Sequence, residues 1–261
     1  MNGYTEITSP IEISAADTVN QAFGKIEDYL NSMLSKTEAA ENYATKVDLE
    51  AASIKWRILG KSELYEWVDL GLPSGLKWAA WNVGATKPEE YGLYFAWGET
   101  EGYTAEDVTA GSKAFNLDDY KFTTDGGSTY TKYNETDGKL VLDLEDDAAY
   151  QNDNTCRMPT KDELEELTAN TTSVWETLNG VNGIRFTSKT NGNSIFVPAA
   201  GGCDGGSVYD VGSVDYLWSS SLYESNSGNA WLLYFDSVNV GMNIGNRCFG
   251  LTVRAVQEAN L

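Results

Sequence analysis

The chain has 261 residues, of which 41% are hydrophobic and 12% aromatic, so it can bury a sizeable core and is not disordered throughout. Its formal net charge of −21 argues against nucleic acid and anionic membranes as partners, because both require clustered Lys and Arg. It contains no histidine, which excludes Ser-His-Asp and Cys-His catalytic sites within the chain.

The three cysteines, Cys156, Cys203 and Cys248, lie far apart and form no CxxC pair. Neither a disulfide framework nor a zinc site is therefore predicted. No apolar run approaches the length of a membrane-spanning helix, about 18 residues. The first residues, MNGYTEITSP, lack the basic start and apolar stretch of a signal peptide. We expect a protein that is cytoplasmic or that leaves the cell by a route other than ordinary secretion.

The first part of the chain, residues 1–60, is predicted to be an extended lead-in followed by a helical stalk. Apolar or small residues recur there with a period of about 3.5 residues, which is typical of a coiled coil. We predict that the stalk associates as a homotrimer; the alternative is a helix that packs on its own domain. The series is Val19, Phe23, Ile26, Leu30, Met33, Ala40, Ala44, Val47, Ala51 and Ile54.

After Trp56, short β-prone runs are separated by Gly, Asn and Asp turns. Strands are predicted at 66–70, 77–82 and 93–97. Residues 101–155 are acidic, polar and rich in Gly and Thr, and they are predicted to form a long insertion.

A short helix is predicted after Pro159. Thr160 and Glu163 have the spacing of a capping box, in which each side chain bonds the backbone of the other residue. Leu164 and Leu167 follow at the spacing of a buried helix face.

A β-hairpin is predicted next, because Asn191-Gly192 is a strong turn signal between strands predicted at 183–187 and 194–197. Further strands are predicted at 230–237 and 251–256. One helix among many short, irregular strands predicts an α+β fold rather than a parallel α/β sheet.

Five stretches carry a family resemblance: EWVDLGLPSGLKWAAWNVGATKPEEYGLYFAWGET (66–100), LEDDAAY (144–150), CRMPTKDELEEL (156–167), NGIRFTSKTNGNSIFVPAAGG (182–202) and YLWSSSLYESNSGNAWLLYFDSVNVGMNIGNRCFGLTVRAV (216–256). They resemble a family of gut Bacteroidales and their phages that is similar to the variable proteins of diversity-generating retroelements. The resemblance implies a C-type-lectin fold of the formylglycine-generating-enzyme type over residues 61–261, with few helices. Separately, SKTEAAENYATKVDLEAA (35–52) resembles the helical shaft of phage tail fibres.

The resemblance also implies a variable region at about 202–251. In such systems a template repeat is copied with errors at adenines, so Asn codons change within a restricted set of amino acids. The implied variable, ligand-binding residues are Tyr223, Ser225, Gly228, Asn229, Leu232, Tyr234, Asp236, Val238, Gly241, Asn243, Ile244, Asn246, Cys248, Phe249 and Leu251. Weaker candidates are Gly202, Asp204, Tyr209, Asp210, Val214 and Leu217. The implied framework includes Trp218, Ser219, Ser220, Ala230, Trp231, Phe235, Arg247, Gly250, Val253 and Arg254.

Strand alternation within 231–236 places Trp231, Leu233 and Phe235 on one apolar face, which is predicted to lie in the core. The other face mixes chemistries and is predicted to contact a ligand; the alternative is a strand buried on both sides. Residues 238–249 are rich in Gly and Asn and are predicted to be an exposed loop with apolar side chains that meet a partner.

No catalytic residue is predicted. An enzyme of the formylglycine-generating type relies on a cysteine pair that binds copper, whereas Cys248 falls at an implied variable position. Arg254 is predicted to make a structural ion pair or backbone bonds, with a ligand role as the alternative. No cofactor is predicted, with structural calcium among the Asp-rich loops as the alternative. The tripeptides of calcium-dependent sugar lectins, Glu-Pro-Asn, Gln-Pro-Asp and Trp-Asn-Asp, are absent.

We therefore expect a non-enzymatic, hypervariable receptor-binding protein (an adhesin) of a phage tail. Its expected partner is a bacterial surface receptor, either protein or polysaccharide, and its expected location is the virion. A trimeric stalk increases avidity, because several weak sites bind together. The alternative is a bacterial cell-surface, lectin-like protein with one fixed ligand.

Overall fold

The computed structural model describes residues 65–127 and 129–258. The predicted stalk within residues 1–60, its boundary and its trimer lie outside the described residues. The described residues contain three short α-helices among many short strands, and every pairing between the named strands is antiparallel. The prediction of an α+β, sheet-rich class is confirmed.

The helices are α1 (Ala105–Thr109), α2 (Ala148–Asn152) and α3 (Lys161–Asn170). The strands are β1 (Trp67–Asp69), β2 (Lys77–Ala79), β3 (Thr123–Thr124), β4 (Thr129–Tyr130), β5 (Thr171–Leu178), β6 (Val181–Ser188), β7 (Ser194–Pro198), β8 (Gly202–Asp204), β9 (Ser207–Tyr209), β10 (Val214–Leu222), β11 (Asn229–Asp236), β12 (Val240–Asn246) and β13 (Val256–Gln257). They form three-stranded sheets in the orders β1-β2-β13, β5-β6-β7 and β10-β11-β12, and the hairpins β3-β4 and β8-β9.

The predicted start of α3 is confirmed. Thr160 and Glu163 form the capping box, and Leu164 and Leu167 are fully buried. These two leucines join the main apolar core, which includes Leu233 of β11. The helix therefore anchors the β10-β11-β12 sheet through one face of that sheet.

The hairpin predicted around Asn191-Gly192 is confirmed, since β6 pairs with β7. The sequence interpretation missed β5, which follows α3 directly and pairs with β6 along its whole length. The β5-β6 turn also has an Asn-Gly dipeptide, and Asn179 and Gly180 have φ values of 49° and 88°. That combination is typical of a tight hairpin turn.

Two strand predictions hold only in reduced form. The segment 93–97 makes isolated bridges, from Tyr94 to Tyr103 and from Phe95 to Leu251. The segment 251–256 likewise makes bridges and ends in the two-residue β13. In both segments most backbone groups bond to loops rather than to a regular ladder.

The insertion predicted at 101–155 contains α1, the β3-β4 hairpin and α2, and buried polar groups hold it together. The buried Asp146 carboxylate accepts hydrogen bonds from Lys121 Nζ at 2.6 Å, Lys132 Nζ at 2.5 Å and Tyr133 Oη at 2.6 Å. Burial opposes ionisation of Asp146, but these three hydrogen bonds lower its pKa.

Arg247 ties this insertion to the end of β12. Its guanidinium is fully buried and lies 4.8 Å from the ring centroids of both Trp97 and Tyr130. It also donates to Tyr120 Oη at 3.0 Å and to the Tyr133 carbonyl at 3.1 Å. Rings and carbonyls of the insertion thus solvate a buried charge.

The prediction of an exposed loop at 238–249 was wrong, because most of this segment forms the strand β12. Val240 and Met242 pack against the core, and Leu233 of β11 pairs with Met242. The apolar residues alternate with Gly and Asn, so the strand has one packed side despite its high Gly and Asn content. No helix in the described residues is long and apolar enough to cross a membrane.

Candidate ligand-binding surface

The β10-β11-β12 sheet has two different faces. On the inner face, Leu217, Leu233 and Phe235 are fully buried in the core. Trp231, predicted to share that core face, is only half-buried, and its indole N–H donates to Glu224 at 3.3 Å. On the outer face, alternation places Tyr216 opposite Tyr234.

Three tyrosines form a row across this outer face. The rings of Tyr209 and Tyr216 have centroids 5.9 Å apart, and those of Tyr216 and Tyr234 are 5.6 Å apart. All three side chains are half-buried. They come from β9, β10 and β11, so neighbouring backbones fix the spacing of the row. Packed aromatic rings give large contact area at low entropic cost.

Two carboxylates engage the hydroxyls of this row. Tyr216 Oη donates to Asp210 at 3.1 Å, and Tyr234 Oη donates to Asp236 at 2.6 Å. The bond from Tyr234 and those from the following turn lower the pKa of Asp236, which stays ionised. Burial, followed by nearby carboxylates, raises the pKa of Tyr209 to about 12. We name Tyr209, Tyr216, Tyr234, Asp210 and Asp236 together the tyrosine surface.

Two turns border the tyrosine surface. In the β11-β12 turn, the Asp236 carboxylate accepts from the N–H groups of Val238 and Asn239, each at 2.7 Å. That turn leaves Val238 85% exposed. In the turn before β10, Asp210 has a φ of 61° and Val211 is 45% exposed. Both turns therefore present apolar side chains to solvent.

The tyrosine surface continues into open space over β12. Tyr234 pairs with Gly241, and nothing lies within 4 Å of the place where a Gly241 side chain would start. Asn243, the next residue of β12 on the same face, is exposed. The flank of the Tyr234 ring is thus accessible from the side of β12.

The implied variable residues divide into four groups, of which the buried one, Leu232, Cys248 and Leu251, is described below. Tyr234, Asp236, Gly241 and Asn243 lie on the outer face with the tyrosines, and Val238 lies at its border. On the inner face, toward the sheet end, alternation places Asn229, Ile244 and Asn246. Ser225 and Gly228 lie in the β10-β11 turn, Tyr223 begins that turn, and the half-buried Phe249 follows β12.

Tyr223, which was expected to anchor the ligand, packs on the framework instead. Its ring lies edge-on to Trp231 with centroids 5.2 Å apart. Lys161 Nζ lies 5.0 Å from the Trp231 ring centroid. Ile244 pairs with Trp231 and so shares this side of the sheet. Tyr223 and Ile244 therefore do not adjoin the tyrosine surface.

Leu232, Cys248 and Leu251 are corrections, because they are buried and cannot touch a ligand in this structure. Their exposed fractions are 2%, 4% and 1%. A side chain on Gly245 would meet both Leu232 and Trp218, so these two close the outer face at that end of the sheet.

Tyr216 is the functional candidate that the sequence interpretation missed, and Tyr209 was only a weaker one. A sequence signal does exist, because Val214, Tyr216 and Trp218 alternate with the buried Asp215 and Leu217. The alternation identifies β10 as a strand with Tyr216 on the face of Trp218.

Arg254 confirms its predicted backbone-bonding role. It is fully buried and donates to the carbonyls of Ala79 at 2.9 Å and Phe196 at 3.0 Å, and to Asn82 Oδ1 at 2.8 Å. The buried Asp215 interacts electrostatically with it, yet burial raises the pKa of Asp215 to about 8. Neither group faces the tyrosine surface side of β10, since Asp215 alternates with Tyr216.

One acidic cluster has the composition of a metal site. Carboxylate oxygens of Asp143, Glu145 and Asp146 lie within 4.8 Å of one another. Lys132 Nζ contacts all three, at 2.8, 2.7 and 2.5 Å respectively. Lys121 also contacts Asp146 and Lys139 contacts Asp143, so three ammonium groups already balance the three carboxylates, and the geometry gives no specific reason for calcium here.

The two late cysteines are both buried. Burial raises the pKa of Cys203 to about 12 and that of Cys248 to about 11. Thiolate is the form that binds metals and acts as a nucleophile, and these thiols are protonated at neutral pH.

No family model, curated protein or solved structure matches this chain.

Proposed function

We propose that the protein is a non-enzymatic adhesin that binds a bacterial surface receptor through the tyrosine surface. The observation that carries this proposal is the row of three tyrosines, at 5.9 and 5.6 Å spacing, on a sheet whose reverse side is core. Away from the buried Leu232 and Trp218, such a surface tolerates side-chain changes because the core contacts of Leu233 and Phe235 lie on the other face. The C-type-lectin fold, the variable region and the phage-tail location are parts of this proposal that rest on the sequence motifs.

Three alternatives stand beside this proposal. A bacterial cell-surface protein with one fixed ligand would use the same surface. A formylglycine-generating type of enzyme is disfavoured by the protonated, buried thiols of Cys203 and Cys248. Structural calcium stays an alternative that a calcium titration of thermal stability tests directly.

Binding through the tyrosine surface is tested with Tyr234→Ala and Tyr216→Ala on arrays of peptides and bacterial surface glycans. We expect each variant to weaken array binding by about tenfold or more, as for aromatic anchors at interfaces. Tyr150→Ala, in α2 and outside the tyrosine surface, is the matched control and should bind as the unaltered protein does. Equal binding by all three variants would reject the proposed surface.

Diversification is tested by sequencing the 3′ end of the gene in a population of its source. We expect substitutions to concentrate at codons of outer-face residues such as Gly241 and Asn243, beside a near-copy repeat that differs at adenines. An invariant 3′ end without such a repeat supports the fixed-ligand alternative.

A further inference from the structure

The free edge of β12 is a second feature of the same region. β12 is the last strand in the order β10-β11-β12, and its seven residues pair with β11 without a register shift from Val240 to Asn246. Among the residues that the structure describes, no strand pairs with its other side.

The register identifies which backbone groups point outward. Asp236 N–H bonds the Asn239 carbonyl at 3.0 Å, and Arg247 N–H bonds the Gly228 carbonyl at 3.0 Å. Bonded and non-bonded pairs alternate in an antiparallel ladder. The alternation between these two fixed ends turns the N–H and C=O groups of Val240, Met242 and Ile244 away from β11.

Local contacts agree with that assignment. Ile244 N–H donates to the Asn243 side-chain oxygen at 2.8 Å instead of to a neighbouring strand. Within 65–127 and 129–258, the outward groups of Val240 and Met242 have no backbone partner beyond β11. Among the described residues, the edge therefore offers the unpaired N–H and C=O groups of Val240 and Met242, two residues apart.

The two edges of this sheet differ. Along β10, Leu142 N–H bonds the Ser220 carbonyl, Leu222 N–H bonds the Leu140 carbonyl, and Trp218 N–H bonds the Thr252 carbonyl. Loops thus cover that edge. Proteins usually protect free edges with charges, proline or bulges, but the β12 sequence VGMNIGN contains none of these.

We propose that β12 takes up an extended, basic polypeptide segment of the receptor as an added strand. This inference rests on the proposed function and deepens it, because it makes the ligand a protein. The backbone of an extended peptide repeats donors and acceptors at the spacing of the β12 edge, which a glycan does not. A second copy of this chain is disfavoured at this edge because both copies would bring Asp236 to it, with no Lys or Arg in residues 190–246 to offset the repulsion.

The side chains of the added strand explain the preference for basic residues. Every second side chain of the segment lies on the outer face, beside Gly241 and Asn243, the face that carries the Asp236 carboxylate and the Tyr234 ring of the adjoining strand β11. Residues 190–246 contain no Lys or Arg. A long lysine or arginine side chain that reaches across Gly241 thus approaches the Tyr234 ring and the Asp236 carboxylate, with no competing cation in this stretch. Main-chain bonding also survives substitution at the mutable positions, since it does not depend on side-chain identity.

The test uses the full chain and a displayed library of random dodecapeptides, from which the best binders are synthesised. Met242→Pro removes one outward N–H without removing a bond to β11, and proline is tolerated at such edge positions. Met242→Leu retains the N–H and is the matched control. We expect Met242→Pro to weaken peptide binding about tenfold, Met242→Leu to leave it unchanged, and bound peptide to protect the Val240 and Met242 amides from hydrogen exchange.

A second measurement does not depend on the folding of the proline variant. In an extended peptide, the N–H groups of alternate residues point to opposite edges, so N-methylation of every second residue removes the donors along one edge. Of the two possible methylation patterns, the one that removes the donors facing β12 should abolish binding to the unaltered protein. Equal binding of both patterns, or no enrichment of peptides, overturns strand addition. Peptides or glycans whose binding falls with Tyr234→Ala but not with Met242→Pro overturn it too, while the proposed tyrosine surface stands. Dimer formation with protected amides in the absence of peptide overturns it in favour of a second copy.

Discussion

Replacing Arg247 by methionine should destabilise the protein by about 4–8 kcal/mol. The guanidinium donates to Tyr120 Oη at 3.0 Å and to the carbonyls of Tyr133 at 3.1 Å, Ser227 at 2.9 Å and Lys132 at 3.1 Å. Methionine cannot supply these donors. The bonds to Tyr120 and Tyr133 are buried, and each lost bond to a charged donor costs about 1.5–3 kcal/mol.

The remaining contacts of Arg247 contribute unequally to the loss of stability. The bonds to Ser227 and Lys132 are only partly buried, so water can replace the donor there at little cost. The loss of contact with the rings of Trp97 and Tyr130 adds about 0.5–1 kcal/mol each. The sum is a large part of the about 5–15 kcal/mol that stabilises a typical domain.

Urea unfolding of the purified full chain, followed by tryptophan fluorescence, measures the loss. Arg185→Met is the matched control, since Arg185 is partly exposed and its main ion pair, with Glu176 at 2.6 Å, should contribute less than about 1 kcal/mol. Hydrogen exchange should also accelerate selectively in 120–135. If Arg247→Met lowers the free energy of unfolding by less than about 1 kcal/mol, the idea that the hydrogen bonds of Arg247 stabilise the insertion is refuted.

Gly201→Ala should destabilise the protein by several kcal/mol, because Gly201 has a φ of 68° and the new Cβ would lie 1.9 Å from the Tyr209 carbonyl oxygen. Gly205→Ala is the control and should cost about 1 kcal/mol, since Gly205 has a φ of 55° but no atom within 4 Å of the new Cβ. Thermal melting compares the two variants, and equal losses of stability would contradict the steric reason. Asp215 has a raised pKa of about 8, so its unfolded form ionises from about pH 4 while its folded form does not. The contribution of this group to stability should then fall as the pH rises from about 4 toward 8, and Asp215→Asn should gain stability relative to the unaltered protein over that range. A stability difference between these two proteins that does not change between pH 5 and pH 8 refutes this linkage.

Local signals predicted the local elements. The capping box of Thr160 and Glu163 and the Asn191-Gly192 turn each act over a few residues, and both appear as predicted. The prediction of a loop at 238–249 was wrong because the Gly and Asn residues of β12 favour a loop by composition, whereas pairing with β11 determines its structure.

The candidate site depended on information that no local pattern carries. Tyr209, Tyr216 and Tyr234 come from three strands, and only the packing of the β8-β9 hairpin against β10 brings the first two together. Leu232 was expected to contact a ligand, and strand alternation places it on the correct, outer face of the sheet. Alternation does not show, however, that other side chains cover this part of the face. Leu232 pairs across the sheet with Trp218, and both side chains are buried, which only the tertiary structure determines.

The place of Lys132 among Asp143, Glu145 and Asp146 has a consequence for how the protein withstands its surroundings. A loop organised by a bound ion loosens wherever that ion is scarce or chelated. Here the positive charge is the ammonium group of Lys132, which is covalently part of the chain, so its local concentration does not depend on the ions in the surrounding solution. The insertion that supports one end of the β10-β11-β12 sheet therefore carries its own counter-charge at this cluster, at low and at high concentrations of divalent ions alike.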